Sequence, residues 1–138
     1  MLSFLNLDQI DNDASCSLET SVEMPSAGAS EGRPIRYYGT KYERSPKNIK
    51  DAIIIHGTKC MVCGFDFEFI YGEIGLSFIE VHHIKPLSSL DEETTINPQT
   101  DLVCLCSNCH RMIHRRRGEV LSIEQLKDII SKTSKTFN

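Results

Sequence analysis

Two Cys-x-x-Cys pairs, Cys60-Met61-Val62-Cys63 and Cys106-Ser107-Asn108-Cys109, constrain this chain more than any other feature. One tight turn presents two thiolates to one ion, and a structural zinc takes four tetrahedral ligands, often all cysteine. One pair alone is weak evidence; two pairs point to one structural Zn2+ on Cys60, Cys63, Cys106 and Cys109. The gap of 42 residues between the pairs exceeds that of a simple zinc ribbon and leaves room for a β-hairpin. A chain with so small a core needs such a staple. The six cysteines could instead form disulfides. The N-terminal stretch is acidic and does not read as a secretory signal, so metal-binding thiols in a reducing, cytoplasmic setting are expected. No run of residues is apolar for long enough to predict a membrane span. Cys104 shares a strand face with Leu102 and Cys106 and reads as buried packing; Cys16 has no assigned role.

Four of the five histidines lie in the same stretch: the adjacent pair His82-His83, then His110 directly after the second thiol pair, then His114. Residues four apart on a helix sit about 40° apart around its axis, so His110 and His114 can hold one ion from one face. Neighbours on a strand point to opposite faces, so His82 and His83 are expected to do different work, one binding the ion and the other facing a water. A strand–hairpin–strand–helix path brings all four together. The alternative is a zinc scaffold carrying core or surface histidines. His56 belongs to no motif and reads as packing or capping.

The net charge of −4 argues against nucleic acid until its distribution is considered. Residues 1–32 hold six acids and no Lys or Arg, and the remaining residues hold fifteen bases and thirteen acids. Within residues 33–59 there are seven bases against Glu43 and Asp51. The chain is therefore read as an acidic tail and linker, residues 1–32, and one domain, residues 33–138, with its core motif at 60–117. The tail is either solvated or docks through its apolar start, and its acids are expected to compete with DNA for the basic surface. Residues 33–44 mix bases with tyrosines, either as a phosphate-contacting arm, with Lys41 and Arg44, or as a solvated loop.

Ser45-Pro46 predicts a helix start and Gly57 its end, with Ile49, Ala52, Ile53 and His56 on one face. The cluster Phe65, Phe67, Phe69, Ile70 and Tyr71 reads as core, in a short helix over the first thiol pair. Residues 78–84 read as a strand that Lys85-Pro86 ends, residues 87–100 as a loop, residues 101–105 as the returning strand, and residues 107–116 as a helix stopped by Gly118. Ser122-Ile123-Glu124-Gln125 opens a last helix with a capping-box pattern, and Ile123, Leu126, Ile129 and Ile130 give it one apolar face. Residues 132–138 are expected to fray.

Residues 42–117 resemble the HNH endonucleases of the ββα-metal fold, and most of all their four-cysteine members. The resemblance is carried by Cys60-Met-Val-Cys63-Gly64, by Ile79-Glu80-Val81-His82-His83-Ile84-Lys85-Pro86-Leu87, and by Asp101-Leu102-Val103-Cys104-Leu105-Cys106-Ser107-Asn108-Cys109-His110-Arg111-Met112-Ile113-His114. It implies an α+β fold, a small zinc-stapled domain with flanking helices, and a metal-dependent DNA endonuclease of the restriction or defence kind. His83 would be the general base. His82, His110 and His114 would hold a catalytic divalent ion: Mg2+, Mn2+, Ni2+ or Zn2+. Products would carry 5′-phosphate and 3′-hydroxyl ends. Many members have asparagine where this chain has Asp101, the residue that orients the base; aspartate accepts the same hydrogen bond but cannot donate one. Asn97 and Asn108 are alternatives for that role. Glu80 is either a support for the metal ligands or an exposed strand glutamate. Arg111, Arg115, Arg116 and Arg117 lie near the metal helix and either grip DNA or complement the helix C-terminus. The rival class is a non-catalytic zinc module binding DNA or protein. A homodimer or a larger assembly, with this chain as the nuclease subunit, fits the same residues.

Overall fold

In the computed structural model, residues 27–133 are described; the apolar start of the expected tail, five of its six acids, Cys16 and residues 134–138 lie outside them. The chain divides into two units, Met1–Thr40 and Lys41–Asn138. Residues 28–40 are exposed and carry no helix or strand. The second unit holds every element named below.

Helix α1 spans Pro46–His56. The Ser45 hydroxyl accepts from the Asn48 amide, Pro46 takes the first turn, and Gly57, at φ +81°, donates back to the Ile53 carbonyl to close the end. Its inward face is centred on the fully buried Ala52, with Ile49 and Ile53 packed beside it, while Ile54 and Ile55 are exposed. Next comes the first thiol turn, in which Gly64, at φ +76°, donates to the Cys60 carbonyl. Asp66 caps a short helix, α2, Phe67–Tyr71, which runs into a 3-10 turn, Gly72–Gly75. Gly75 has no substitute: a Cβ there would collide with the Phe67 carbonyl.

Strands β1, Glu80–His83, and β2, Leu102–Leu105, form a two-stranded antiparallel sheet in which His82 opposes Val103 and His83 opposes Leu102. Helices α3, Ser107–Ile113, and α4, Ile123–Thr133, follow. Strand alternation divides the core in two. Val103 and Leu105 join Cys60, Cys106, Cys109, Ile113, Leu121 and Leu126 in one cluster, whereas Val81, Leu102, Cys104, Ile79 and Ala52 form the other. Burial on both sides makes β2 a continuous apolar run. The hairpin is thus a wall, with α1 in the second cluster and α3 and α4 in the first. The expected mixed α+β class, a small sheet among helices stapled by four thiols, is what the structure shows.

Three local expectations differ from what is observed. The aromatic cluster is only half core: Phe65 and Phe67 pack inward and edge-to-face with ring centroids 4.9 Å apart, but Phe69 is 84% exposed and Ile70 and Tyr71 are exposed too. A five-residue helix can bury one narrow stripe and leaves its remaining residues in water. Both strands are shorter than expected because pairing stops where β1 meets the Lys85-Pro86 turn and β2 reaches the thiols. Helix α3 ends at Ile113 rather than at residue 116. Its last amides tighten to three-residue spacing, His114 to Arg111 and Arg115 to Met112, both at 3.2 Å. Arg115, Arg116 and Arg117 are exposed, with nothing apolar to hold a further turn.

Candidate active site and metal centres

The four thiols meet because backbone bonds close the 42-residue gap. The Met61 amide donates to the Cys104 carbonyl at 2.9 Å, and the Cys104 amide approaches the Met61 sulfur at 3.3 Å, which fastens the first thiol turn to β2. The second pair opens α3: Cys106 is the N-cap, and its sulfur receives the Cys109 amide at 3.4 Å. The four sulfurs lie within 4.8 Å of one another. A zinc–sulfur bond of roughly 2.3 Å in a tetrahedron sets sulfurs about 3.8 Å apart. Cys63 and Cys106 have their sulfurs 3.7 Å apart, which fits that geometry. The thiols also cannot share negative charge unaided. Burial acts against the Cys60 thiolate, but amide donors from Cys63, Cys106 and Val62 outweigh it and bring that thiol down to about 7. Burial pushes Cys106 up to about 11 and drives Cys109 well above the thiol range. A dication removes that conflict, because each thiolate then has a positive neighbour.

The second donor set is made of imidazoles. His82 lies on the α3 side of β1, and His110 and His114 come from α3 and its C-cap, so three ligand atoms fall within 4.8 Å of one another. The ring centroids are 4.9 to 5.3 Å apart. His114 Nε2 and His82 Nδ1 stand 3.2 Å apart. Two nitrogens on one tetrahedral ion at about 2.05 Å lie roughly 3.3 Å apart, so the set fits a divalent ion with a position left open. His82 is 4% exposed. Burial, reinforced by the positive fields of His110, His114, His83 and Arg44, lowers it to about 3, which keeps its lone pair available at neutral pH. Early termination of α3 does not cost the site its third ring, because His114 as C-cap still faces the same side.

Glu80 lies two residues before His82 and on the same face of β1. Its Oε2 is 3.5 Å from His110 Nδ1. The bond from His110 holds the carboxyl below its usual range against the effect of burial, with Ser107 and Arg111 adding to it. With Nδ1 turned to Glu80, Nε2 is the nitrogen His110 could offer to an ion. Of the two roles left open for Glu80, contact with a metal-set histidine is the one observed.

His83 faces the other side of the sheet from His82, as alternation requires. It is half-buried, and its Nδ1 is buried with no hydrogen-bond partner. Burial lowers its pKa and Arg44 adds to the effect, while the Asp101 carboxylate opposes both. Asp101 does not bond to His83 through its side chain. Its Oδ2 accepts from the Asn97 amide at 2.8 Å and its Oδ1 from the Thr100 hydroxyl at 3.1 Å. Its main-chain carbonyl takes the Ile84 amide at 2.9 Å, directly after His83. Asp101 therefore shapes the mouth of the hairpin and acts on His83 through its field, and Asn97 is part of that brace.

Lys41, Arg44, Arg111, Arg115, Arg116 and Arg117 are all exposed. Arg44 acts electrostatically on both His82 and His83, and Arg111 acts on Glu80, so both charges reach the histidine site. Arg116 pairs with Glu119 at 3.7 Å.

The chain is 38% identical over 76 residues to the type IV methyl-directed restriction enzyme EcoKMcrA of Escherichia coli (strain K12), a stretch that covers 55% of this chain and 26% of that protein. The chain thus spans about a quarter of the length of the curated relative it matches. Residues 60–116, from the first thiol to the arginines beyond His114, match the family described as HNH endonuclease. With the hairpin, the helix and the two donor sets in the places described, residues 60–116 have the arrangement of the HNH family whose model they match.

Proposed function

We propose that this protein is a metal-dependent DNA endonuclease of the restriction class, with His83 as general base and His82, His110 and His114 as the ligands of its catalytic ion. The observation that carries the reading is the set of three imidazole nitrogens within 4.8 Å of one another, next in sequence to a fourth histidine on the opposite strand face. A non-catalytic zinc module has no need of that set. The relative's printed activity, methyl-directed restriction, supports the substrate class.

His82, His110 and His114 would hold a divalent ion, which would supply Lewis acidity for phosphodiester hydrolysis. The chain's own residues do the rest. Neutral His83 takes one proton from a water as that water's oxygen attacks phosphorus, and the bond from phosphorus to the 3′ oxygen breaks. Burial keeps His83 unprotonated at neutral pH, and the Asp101 carboxylate restores part of its basicity. Glu80 fixes the His110 ring, and Arg44 and Arg111 bring positive charge to where a phosphate must sit. Cys60, Cys63, Cys106 and Cys109 hold a structural Zn2+ that keeps α3, and with it two of the ligands, in register with the hairpin.

The test is nicking of supercoiled plasmid with Mg2+, Mn2+ or Ni2+, comparing the natural chain with His83→Ala. The variant is expected to lose cleavage and to keep its zinc content and its circular dichroism spectrum. Persistent nicking by a folded His83→Ala protein would remove the assignment of the base.

A further inference from the structure

His56 belongs to neither donor set, yet it is tied to the loop that closes against His83. It is the last residue of α1 and is half-buried. Capping the helix does not explain it, because Gly57 already closes the end through the Ile53 carbonyl. Its Nε2 donates instead to the Pro98 carbonyl, 42 residues along the chain, at 2.9 Å. Pro98 lies in a turn bound within itself. The Asn97 carbonyl accepts from the amides of Thr100 and Asp101 at 3.2 and 2.9 Å, and the Asn97 side chain takes the Gln99 amide at 3.0 Å. The same turn holds both Asp101 carboxylate oxygens. Asp101 in turn receives the Ile84 amide beside His83. Residues 91–95 are all exposed and Ile96, directly before this turn, packs on the second core cluster, so the His56 bond adds to the Ile96 packing in holding the far end of the connection from β1.

We infer that His56 is a positioning residue: through the Pro98 carbonyl it anchors the 97–101 turn to α1 and so fixes Asp101 and the mouth of the hairpin beside the general base. The inference rests on the reading of His83 as that base. A general base displaced by a fraction of an ångström loses rate steeply, whereas DNA affinity, set by phosphate contacts, does not depend on this turn.

The experiment uses the full zinc-loaded chain and three variants. His56→Phe keeps a ring of similar size and removes the donor; His56→Gln offers an amide donor near the position of Nε2; His56→Leu replaces the phenylalanine should that variant not retain its zinc. Loss of one hydrogen bond of this kind predicts a drop of about five- to tenfold in single-turnover nicking at saturating DNA. DNA affinity and zinc content should stay unchanged, and His56→Gln should recover most of the rate. Combined with Asp101→Ala, His56→Phe should cost little more than Asp101→Ala alone, since both act along one path. Amide exchange at Ile84 and Asp101 should quicken in His56→Phe and return towards the natural rate in His56→Gln. Unchanged exchange at both amides would overturn the inference, as would full nicking by His56→Phe or full additivity with Asp101→Ala. If the natural chain does not nick at all, the nuclease reading fails, and the exchange comparison alone decides whether His56 braces the turn.

Discussion

Glu80 shows how a single side chain decides which nitrogen of a histidine is offered to an ion. The carboxylate beside His110 Nδ1 favours the tautomer that would leave Nε2 for the proposed ion, and such partners typically change metal affinity by roughly 10- to 100-fold when removed. Glu80→Ala is accordingly expected to weaken binding of Mn2+ at the histidine site by about tenfold or more without loss of the structural zinc. Glu80→Gln, still an acceptor through its amide oxygen, should lose less. Calorimetric titration of the zinc-loaded protein checks both, and equal affinity in all three proteins would make Glu80 an exposed strand residue after all. At this scale the two clusters of donor side chains were legible from spacing: thiols three apart, histidines four apart, histidines adjacent on a strand. The supports were not. Nothing in the sequence says that Asp101 commits both oxygens to Asn97 and Thr100 rather than to His83. Such partners lie in a loop whose path no periodicity encodes.

The helix that carries His110 and is capped by His114 is only seven residues long, too short to persist on its own propensity. What holds α3 is Ile113, fully buried against Leu121, Leu126 and the strand residues, and the thiols at its other end. Ile113→Ala should therefore cost about 2–5 kcal/mol in urea unfolding of the zinc-loaded protein, the range for a large aliphatic side chain removed from a core. A loss below about 1 kcal/mol would mean that zinc alone holds the helix. Helix α4 covers the same cluster and starts as its sequence specifies: the Ser122 hydroxyl accepts from the Gln125 amide at 3.1 Å and the Gln125 side chain accepts from the Ser122 amide at 2.8 Å. Ser122→Ala should cost about 1 kcal/mol by the same measurement, and no cost would show that packing of Leu126 alone sets the helix start. Starts were readable because capping is local chemistry, and the cap pairs of α1 and α4 both form as the sequence specifies. Ends were less so. Where α3 stops depends on what lies beside residues 114–117, and exposure of three successive arginines follows from tertiary structure, not from the helix pattern.

For the molecule as a whole, the proposed function assigns stability to the sulfur site and access of DNA to the charge distribution. A structural zinc is worth on the order of 10 kcal/mol, comparable with the entire stability of a small domain. Strong chelators, or Cys60→Ser, should unfold residues 41–138 cooperatively; a metal-free chain that keeps its near-ultraviolet circular dichroism would contradict this. Charge acts at longer range. Residues 1–32 carry six acids and no base, whereas residues 33–59 carry seven bases and two acids, and we propose that the N-terminal segment competes for whatever the basic surface attracts. A segment that competes through charge raises the apparent dissociation constant of DNA without altering the cleavage step. Deleting residues 1–32 should then tighten binding of a short duplex several-fold at about 50 mM salt and steepen the salt dependence, since the phosphates no longer displace a tethered rival. The advantage should shrink as salt rises, because the Debye length falls from roughly 10 Å at 0.1 M towards 3 Å at 1 M. Fluorescence anisotropy of both proteins across a salt series measures this directly, and superimposable curves would dismiss competition by the tail.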